Sequence, residues 1–101
     1  MQLKFDQRVV LVSGAAQGIG RAIAAAFAQA GAIPHLVDLD EEGLTRAASE
    51  IGAASSALDL SDRDATAAVC RDILAKHGRI DILIHAAGGV RGQTHRPIEE
   101  I

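Results

Sequence analysis

Short apolar runs alternate along this chain with segments in which apolar residues return every three or four positions. Val9 to Val12 is a β-branched run ending at Ser13-Gly14, the pattern of a buried strand entering a tight turn. From Gly18 onward Ile19, Ile23, Ala26, Phe27 and Ala30 keep helical spacing until Gly31 stops it. Ala32 to Asp38 reads as a second strand with Leu36-Val37 at its core. Pro34 belongs near its start, because proline cannot donate a ladder hydrogen bond. Asp40 then predicts a helix N-cap, and Leu44, Ala47, Ala48 and Ile51 trace a stripe that Gly52 closes. Ser55 to Leu58 is a weaker third strand, placed mainly because something extended must join Gly52 to the next cap. Ser61-Asp62-Arg63-Asp64 has the form of a capping box. Behind it Ala65, Ala68, Val69 and Ile73 give a third helix its apolar face, with Gly78 past its end. Ile80 to Ile84 is again a buried-strand run. Gly88, Gly89 and Gly92 mark a loop after it, and Pro97 marks the start of a further helix.

The resulting order is βαβαβαβ, with each helix long enough to be a crossover. Right-handed crossovers place such strands in one parallel sheet, so the expected fold is the N-terminal portion of a doubly wound α/β sheet of the Rossmann kind. Residues 1–101 are expected to form one part of a single domain, without a linker, repeat or low-complexity tract. An apolar fraction of 49%, with neither Trp nor Tyr, leaves Leu, Ile, Val and Ala to build the core. Ten basic residues against thirteen acidic ones give a net charge of −3, and the basic ones are scattered singly, so nucleic acid is not an expected partner. The single cysteine, Cys70, excludes an internal disulfide and reads as a small packed hydrophobe, which fits a reducing, cytoplasmic setting. No apolar run approaches the roughly 18 residues that span a bilayer, and MQLKFDQR has no signal-peptide core, so no membrane partner is expected.

The chemistry is concentrated in the turn from Ser13 to Gly20, which joins the first strand to the first helix. Amides at a helix N-terminus and the helix dipole favour an anion, and missing β-carbons let phosphates approach the backbone. Gly14 suits the sharp turn, Gly18 and Ile19 the presentation of amides, and Gly20 close packing of the helix on the sheet. A glycine-rich strand-to-helix connection can also be plain architecture. What favours the binding reading is Asp38, 18 residues past Gly20 at the expected end of the second strand, where a carboxylate accepts hydrogen bonds from ribose hydroxyls. A 2'-phosphate there meets like charge, and no basic residue stands at Gln17, Leu39 or Asp40 to answer it. The expected cofactor is therefore NAD rather than NADP.

These residues resemble the short-chain dehydrogenase/reductase family. Ser13 to Gly20 matches its Thr-Gly-x-x-x-Gly-x-Gly turn, with Ser for Thr. His85-Ala86-Ala87-Gly88 corresponds to its Asn-Asn-Ala-Gly segment, and Asp59, with Leu60 beside it, to the acidic residue that contacts the adenine ring. The resemblance runs from about Phe5 to Ile101. It implies cofactor contacts at Ser13, Gly14, Gln17, Gly18, Ile19, Gly20, Asp38, Asp59, Leu60, Ala86, Ala87 and Gly88, an alcohol or ketone substrate, and a homo-oligomer. His85 departs from the pattern: the family's first Asn ties the central sheet together, and support is the expected role here ahead of proton transfer.

The family's catalytic Ser and Tyr-x-x-x-Lys have no counterpart, and the chain contains no Tyr. No triad, carboxylate pair or metal cluster replaces them by spacing; His35, His77 and His95 lie on separate elements. The chain by itself is thus expected to be inactive, the cofactor-binding part of a longer NAD-dependent dehydrogenase. Two other readings stand beside this one. A non-catalytic fragment would bind a dinucleotide, or a partner through the sheet edge that its fourth strand leaves open. An NADP-dependent ketoreductase of the 3-oxoacyl-acyl-carrier-protein kind is disfavoured by Asp38.

Overall fold

A computed structural model describes residues 5–86. Its elements are β1 (Val9–Ser13), α1 (Gly18–Gln29), β2 (Ile33–Asp38), α2 (Glu41–Ile51), β3 (Ala54–Ala57), α3 (Arg63–His77) and β4 (Ile82–His85). The four strands form one sheet in the order β3-β2-β1-β4, and every pairing is parallel. The expected doubly wound βαβαβαβ arrangement is the one observed.

All five residues of β1 are buried, as a strand with neighbours on both edges and helices over both faces requires. Val10 and Val12 point into a core with Ala24 of α1 and Leu44, Ala47 and Ala48 of α2, while Val9 and Leu11 face Ile73 of α3. The placement of the helices follows from chirality. The steps β1 to β2 and β2 to β3 move outward in one direction, so right-handed crossovers put α1 and α2 on one face. The step from β3 to β4 returns past β1, which sends α3 to the other. The chain therefore reverses its winding between β1 and β4.

Local chemistry sets the boundaries. Asp40 accepts a hydrogen bond from the Gly43 amide (3.1 Å), Glu41 and Glu42 occupy the first turn of α2 beside the positive end of its dipole, and the stripe Leu44-Ala47-Ala48 is its buried face. Pro34 lies inside the sheet at no cost to the ladder. Ile33 donates toward β1, so Pro34 faces the β3 side, where pairing begins only at His35 with Ala54.

Four expectations need correction. The capping box does not form. Asp62 caps α3 by accepting from Ala65 N (3.1 Å), while the Ser61 hydroxyl turns back to Asp59, the nearer acceptor. The third strand covers Ala54–Ala57, one residue earlier than Ser55 to Leu58; β2 ends at Asp38, opposite Ala57, and Leu58 N makes the last cross-strand bond, to Asp38 O (3.0 Å). The fourth strand starts at Ile82, two residues later than Ile80. Asp81 serves instead as a clamp on β1, donating its amide to Val9 O (2.9 Å) and accepting from Val9 N through its side-chain Oδ2 (2.8 Å). Finally, the buried face of α1 is Gly20 and Ala24, with Phe27 half-buried against Phe5, and Ile19 is 70% exposed. Helical spacing alone did not show that the first turn of α1 projects past the sheet. The α3 face is thinly covered among the described residues: Ile73 is the one buried residue of that helix, and Leu83, which pairs with Leu11 of β1, is 70% exposed.

Candidate functional site

The reversal between β1 and β4 opens a crevice beyond the carboxyl ends of these strands, the place where open α/β sheets receive ligands. The turn after β1 lies there. Gly14 has φ +71° and Gly18 φ +64°, a backbone region that L side chains rarely adopt. The two glycines differ in what surrounds them. A β-carbon on Gly14 would run into the Ala86 carbonyl at the exit of β4, whereas one on Gly18 would meet nothing within 4 Å. Gly20 touches the Gly14 carbonyl so closely that a β-carbon there would collide with it, which seats α1 against the turn. Gly14 and Gly20 are thus required by the fold, and Gly18 leaves open space at the helix start.

Among the described helices, α2 and α3 carry aspartate caps, whereas α1 begins at exposed Gln17 with no side-chain cap and no acidic residue in its first turn. Its first amides and the positive end of its dipole remain available to an anion from outside the chain. Ile19 stands exposed over the same opening.

Asp38, at the end of β2, reaches the turn directly. Its Oδ2 accepts from Ala16 N (2.9 Å) and its Oδ1 from Asp40 N (3.0 Å), so one carboxylate fixes both the glycine turn and the approach to α2. Each oxygen has a second lone pair for a hydroxyl donor. Asp59 and Leu60 follow β3 and are exposed. Asp59 accepts from the Ser61 amide (2.9 Å) and hydroxyl (2.8 Å), in that order the causes that hold its carboxyl below the ordinary range.

Ser13 and His85 join the two strands at the crevice. The buried Ser13 hydroxyl donates to the Ile84 carbonyl (3.3 Å) and lies 2.7 Å from His85 Nδ1. The Ala86 amide adds a bond to Ser13 O (3.1 Å). His85 thus ties the end of β4 to β1, the supporting role expected of this position.

The structure brings Ser13, Gly14, Gln17, Gly18, Ile19, Gly20, Asp38 and Ala86 to the carboxyl ends of β1, β2 and β4, with Asp59 and Leu60 just past β3. Ala87 and Gly88 lie outside the described residues. What sequence reasoning missed is Ala16, whose amide is the partner of Asp38; a backbone contact between distant positions leaves no signature in residue types. Among the described residues no group of three or more His, Cys, Asp or Glu is arranged to hold a metal, and no helix is long and apolar enough to cross a membrane.

Comparison with known proteins agrees with this geometry. The family model for short chain dehydrogenases matches residues 8–101. The D-threitol dehydrogenase of Mycolicibacterium smegmatis is 41% identical over 93 residues, which are 87% of this chain and 36% of that protein. The 3-oxoacyl-[acyl-carrier-protein] reductase of Thermotoga maritima is 34% identical over 94 residues, covering 88% of this chain and 38% of its own length. Among solved structures, a short-chain type dehydrogenase/reductase from Mycobacterium ulcerans superposes with a TM-score of 0.81 at 32% identity, over 86% of this chain and 34% of the other. A 3-ketoacyl-(acyl-carrier-protein) reductase from Brucella melitensis complexed with NADH gives 0.73 at 38% identity, over 77% and 33%. The chain spans about a third of the length of the relatives it matches.

Proposed function

The chain belongs to the short-chain dehydrogenase/reductase family, and from that premise we propose that residues 1–101 are the dinucleotide-binding part of an oxidoreductase that uses NAD to interconvert alcohols and ketones. The observation that carries the cofactor assignment is Asp38, whose carboxylate is locked beside the glycine turn by the Ala16 and Asp40 amides.

The pyrophosphate takes the uncapped start of α1, where Gly18 and Ile19 present amides into open space. Gln17 lines this opening, and Ser13, Gly14 and Gly20 hold its shape. Asp38 accepts the adenosine ribose hydroxyls. Asp59 and Leu60 bound the adenine end, and Ala86, Ala87 and Gly88 the side of the crevice that leads from β4. When bound, the nicotinamide ring supplies the site that accepts or donates hydride.

Asp38 also disfavours NADP. Two unit charges about 4 Å apart interact by about 4 kcal/mol at an effective dielectric of 20, and partial exposure reduces this to about 1.4–2.8 kcal/mol, or roughly 10- to 100-fold in affinity. The proton that accompanies hydride comes from residues outside this segment, since the chain has no Tyr to provide it. A cytoplasmic, homo-oligomeric enzyme acting on a small alcohol or ketone is consistent with this reading.

Fluorescence titration of the full-length protein with NADH and NADPH tests the proposal. NADH binding at least tenfold more tightly is the expected result, and equal or tighter binding of NADPH overturns the cofactor assignment.

A further inference from the structure

A second opening lies at the other end of the sheet. It is a cavity of about 370 Å³ below the amino ends of β1, β2 and β3, walled by Ala28, Ile33, Pro34 and Ile51, with His35, Lys76 and His77 among its lining residues. No acidic residue lines it. Its size falls within the range of small-molecule sites.

The three basic groups come from two elements on the α3 face, while Ala28, Pro34 and Ile51 belong to the α1/α2 face, so the opening passes round the amino ends of the strands. His35 projects from β2, where its Nε2 meets the Ser56 hydroxyl at 2.9 Å, and Lys76 and His77 end α3. The ion pairs among the described residues are Arg8–Asp81, Arg21–Glu50 and Arg79–Asp81, and they engage none of the three. Asp72, one turn before Lys76, is the acidic group near enough to act on His35. A favourable meeting with the negative end of the α3 dipole accounts for Lys76 and His77 being in its last turn. It does not account for a third basic group facing the same cavity from β2.

We infer that this cavity binds a small molecule with a short apolar body and a terminal carboxylate, the carboxylate seated among Lys76, His77 and His35 and the body against Ile33, Pro34 and Ile51. The site is separate from the glycine turn, and the dinucleotide reading enters its test only as the control for folding.

Charge linkage gives the binding a signature. The His35 pKa lies below its ordinary value because of burial first and then repulsion from Lys76 and His77, with Asp72 opposing. An anion beside it favours the charged imidazole, so occupancy raises that pKa, and binding tightens as pH falls through the histidine range.

The test uses hexanoate as probe, with hexanamide and acetate as controls, on the full-length protein followed by NMR of the histidine rings. Expected are saturable shifts of the His35 and His77 signals by hexanoate with a dissociation constant of about 1 mM or tighter. A raised His35 pKa when bound and weaker binding of both controls are expected with them. Lys76→Glu, on an exposed helix position, is expected to weaken hexanoate on the order of tenfold or more by reversing a charge at the site. NADH affinity, measured on the same sample, should be unchanged and shows that the variant is folded. The inference is overturned if hexanamide binds as well as hexanoate, if the ring signals do not move, or if Lys76→Glu, still binding NADH as the parent does, leaves hexanoate affinity unaltered. Loss of NADH binding in Lys76→Glu directs the comparison to His77→Gln, on which the same outcomes decide.

Discussion

Gly14 and Gly18 have nearly the same backbone conformation and opposite surroundings, so alanine at each separates strain from contact. A positive φ costs a non-glycine residue roughly 1–2 kcal/mol, and both positions incur it, at φ +71° and +64°. At Gly18 nothing lies within 4 Å of the added β-carbon, and that strain is the whole cost to folding. At Gly14 the β-carbon overlaps the backbone carbonyl of Ala86, which cannot rotate away as a side chain can, so β4 must move from β1. Such overpacking adds typically 1–3 kcal/mol, giving about 2–5 kcal/mol for Gly14→Ala against about 1–2 for Gly18→Ala. Urea unfolding of the full-length protein, compared at unchanged m-value, measures both. The order should invert for NADH. In Gly18→Ala the methyl enters the space assigned to the pyrophosphate, so affinity falls by more than the stability loss suggests. Equal destabilisation by the two variants, or Gly18→Ala binding NADH as the parent does, would refute the reasoning.

Three further outcomes follow from the same contacts. Leu44 is 1% exposed in the α1/α2 core, and Leu44→Ala should cost about 2–5 kcal/mol in urea unfolding. Ser13→Ala leaves His85 Nδ1 and the Ile84 carbonyl without their hydroxyl partner and should cost about 1–2 kcal/mol by the same assay, with the larger change in NADH affinity expected if the seam positions the turn. Asp81 is held below the ordinary carboxyl range first by its hydrogen bond to Arg79, then by the Val9 amide, with further help from the Arg79 and Arg8 charges. A depressed folded value means the contribution is full above the ordinary carboxyl pKa and is lost as pH falls through the folded one. The stability gap between the parent and Asp81→Asn should therefore be constant near neutrality and close only in strong acid.

The parts of this fold that rest on local pattern were legible in the sequence. The stripe Leu44-Ala47-Ala48, Asp40 as cap and the alternation of strands and helices each follow from residue type and spacing, and the crossovers then make the sheet parallel, while the strand order is seen only in the structure. Contacts between distant residues were not. Nothing in the spacing of Asp81 says that it clamps Val9, nor in that of Ala16 that its amide meets Asp38. Ile19 has the spacing of a core residue but stands where the helix overhangs the strand ends, so it is exposed. The Ser61 to Asp64 motif reads as a capping box, but the Ser61 hydroxyl is held by Asp59 from outside the motif and Asp62 caps the helix. For the site, glycine positions and an acidic residue after β2 could be read directly. The structure added which glycines the fold itself requires and how Asp38 is held.

The central claim is that Asp38 fixes the ribose end of the site and sets the cofactor preference. It is tested most directly by the ratio of NADPH to NADH dissociation constants in the full-length protein and in Asp38→Ala. The account predicts a ratio of at least about ten in the parent, falling toward one in the variant, with NADH binding weakened as its hydroxyl acceptor disappears. A ratio that does not change when the carboxylate is removed would contradict it.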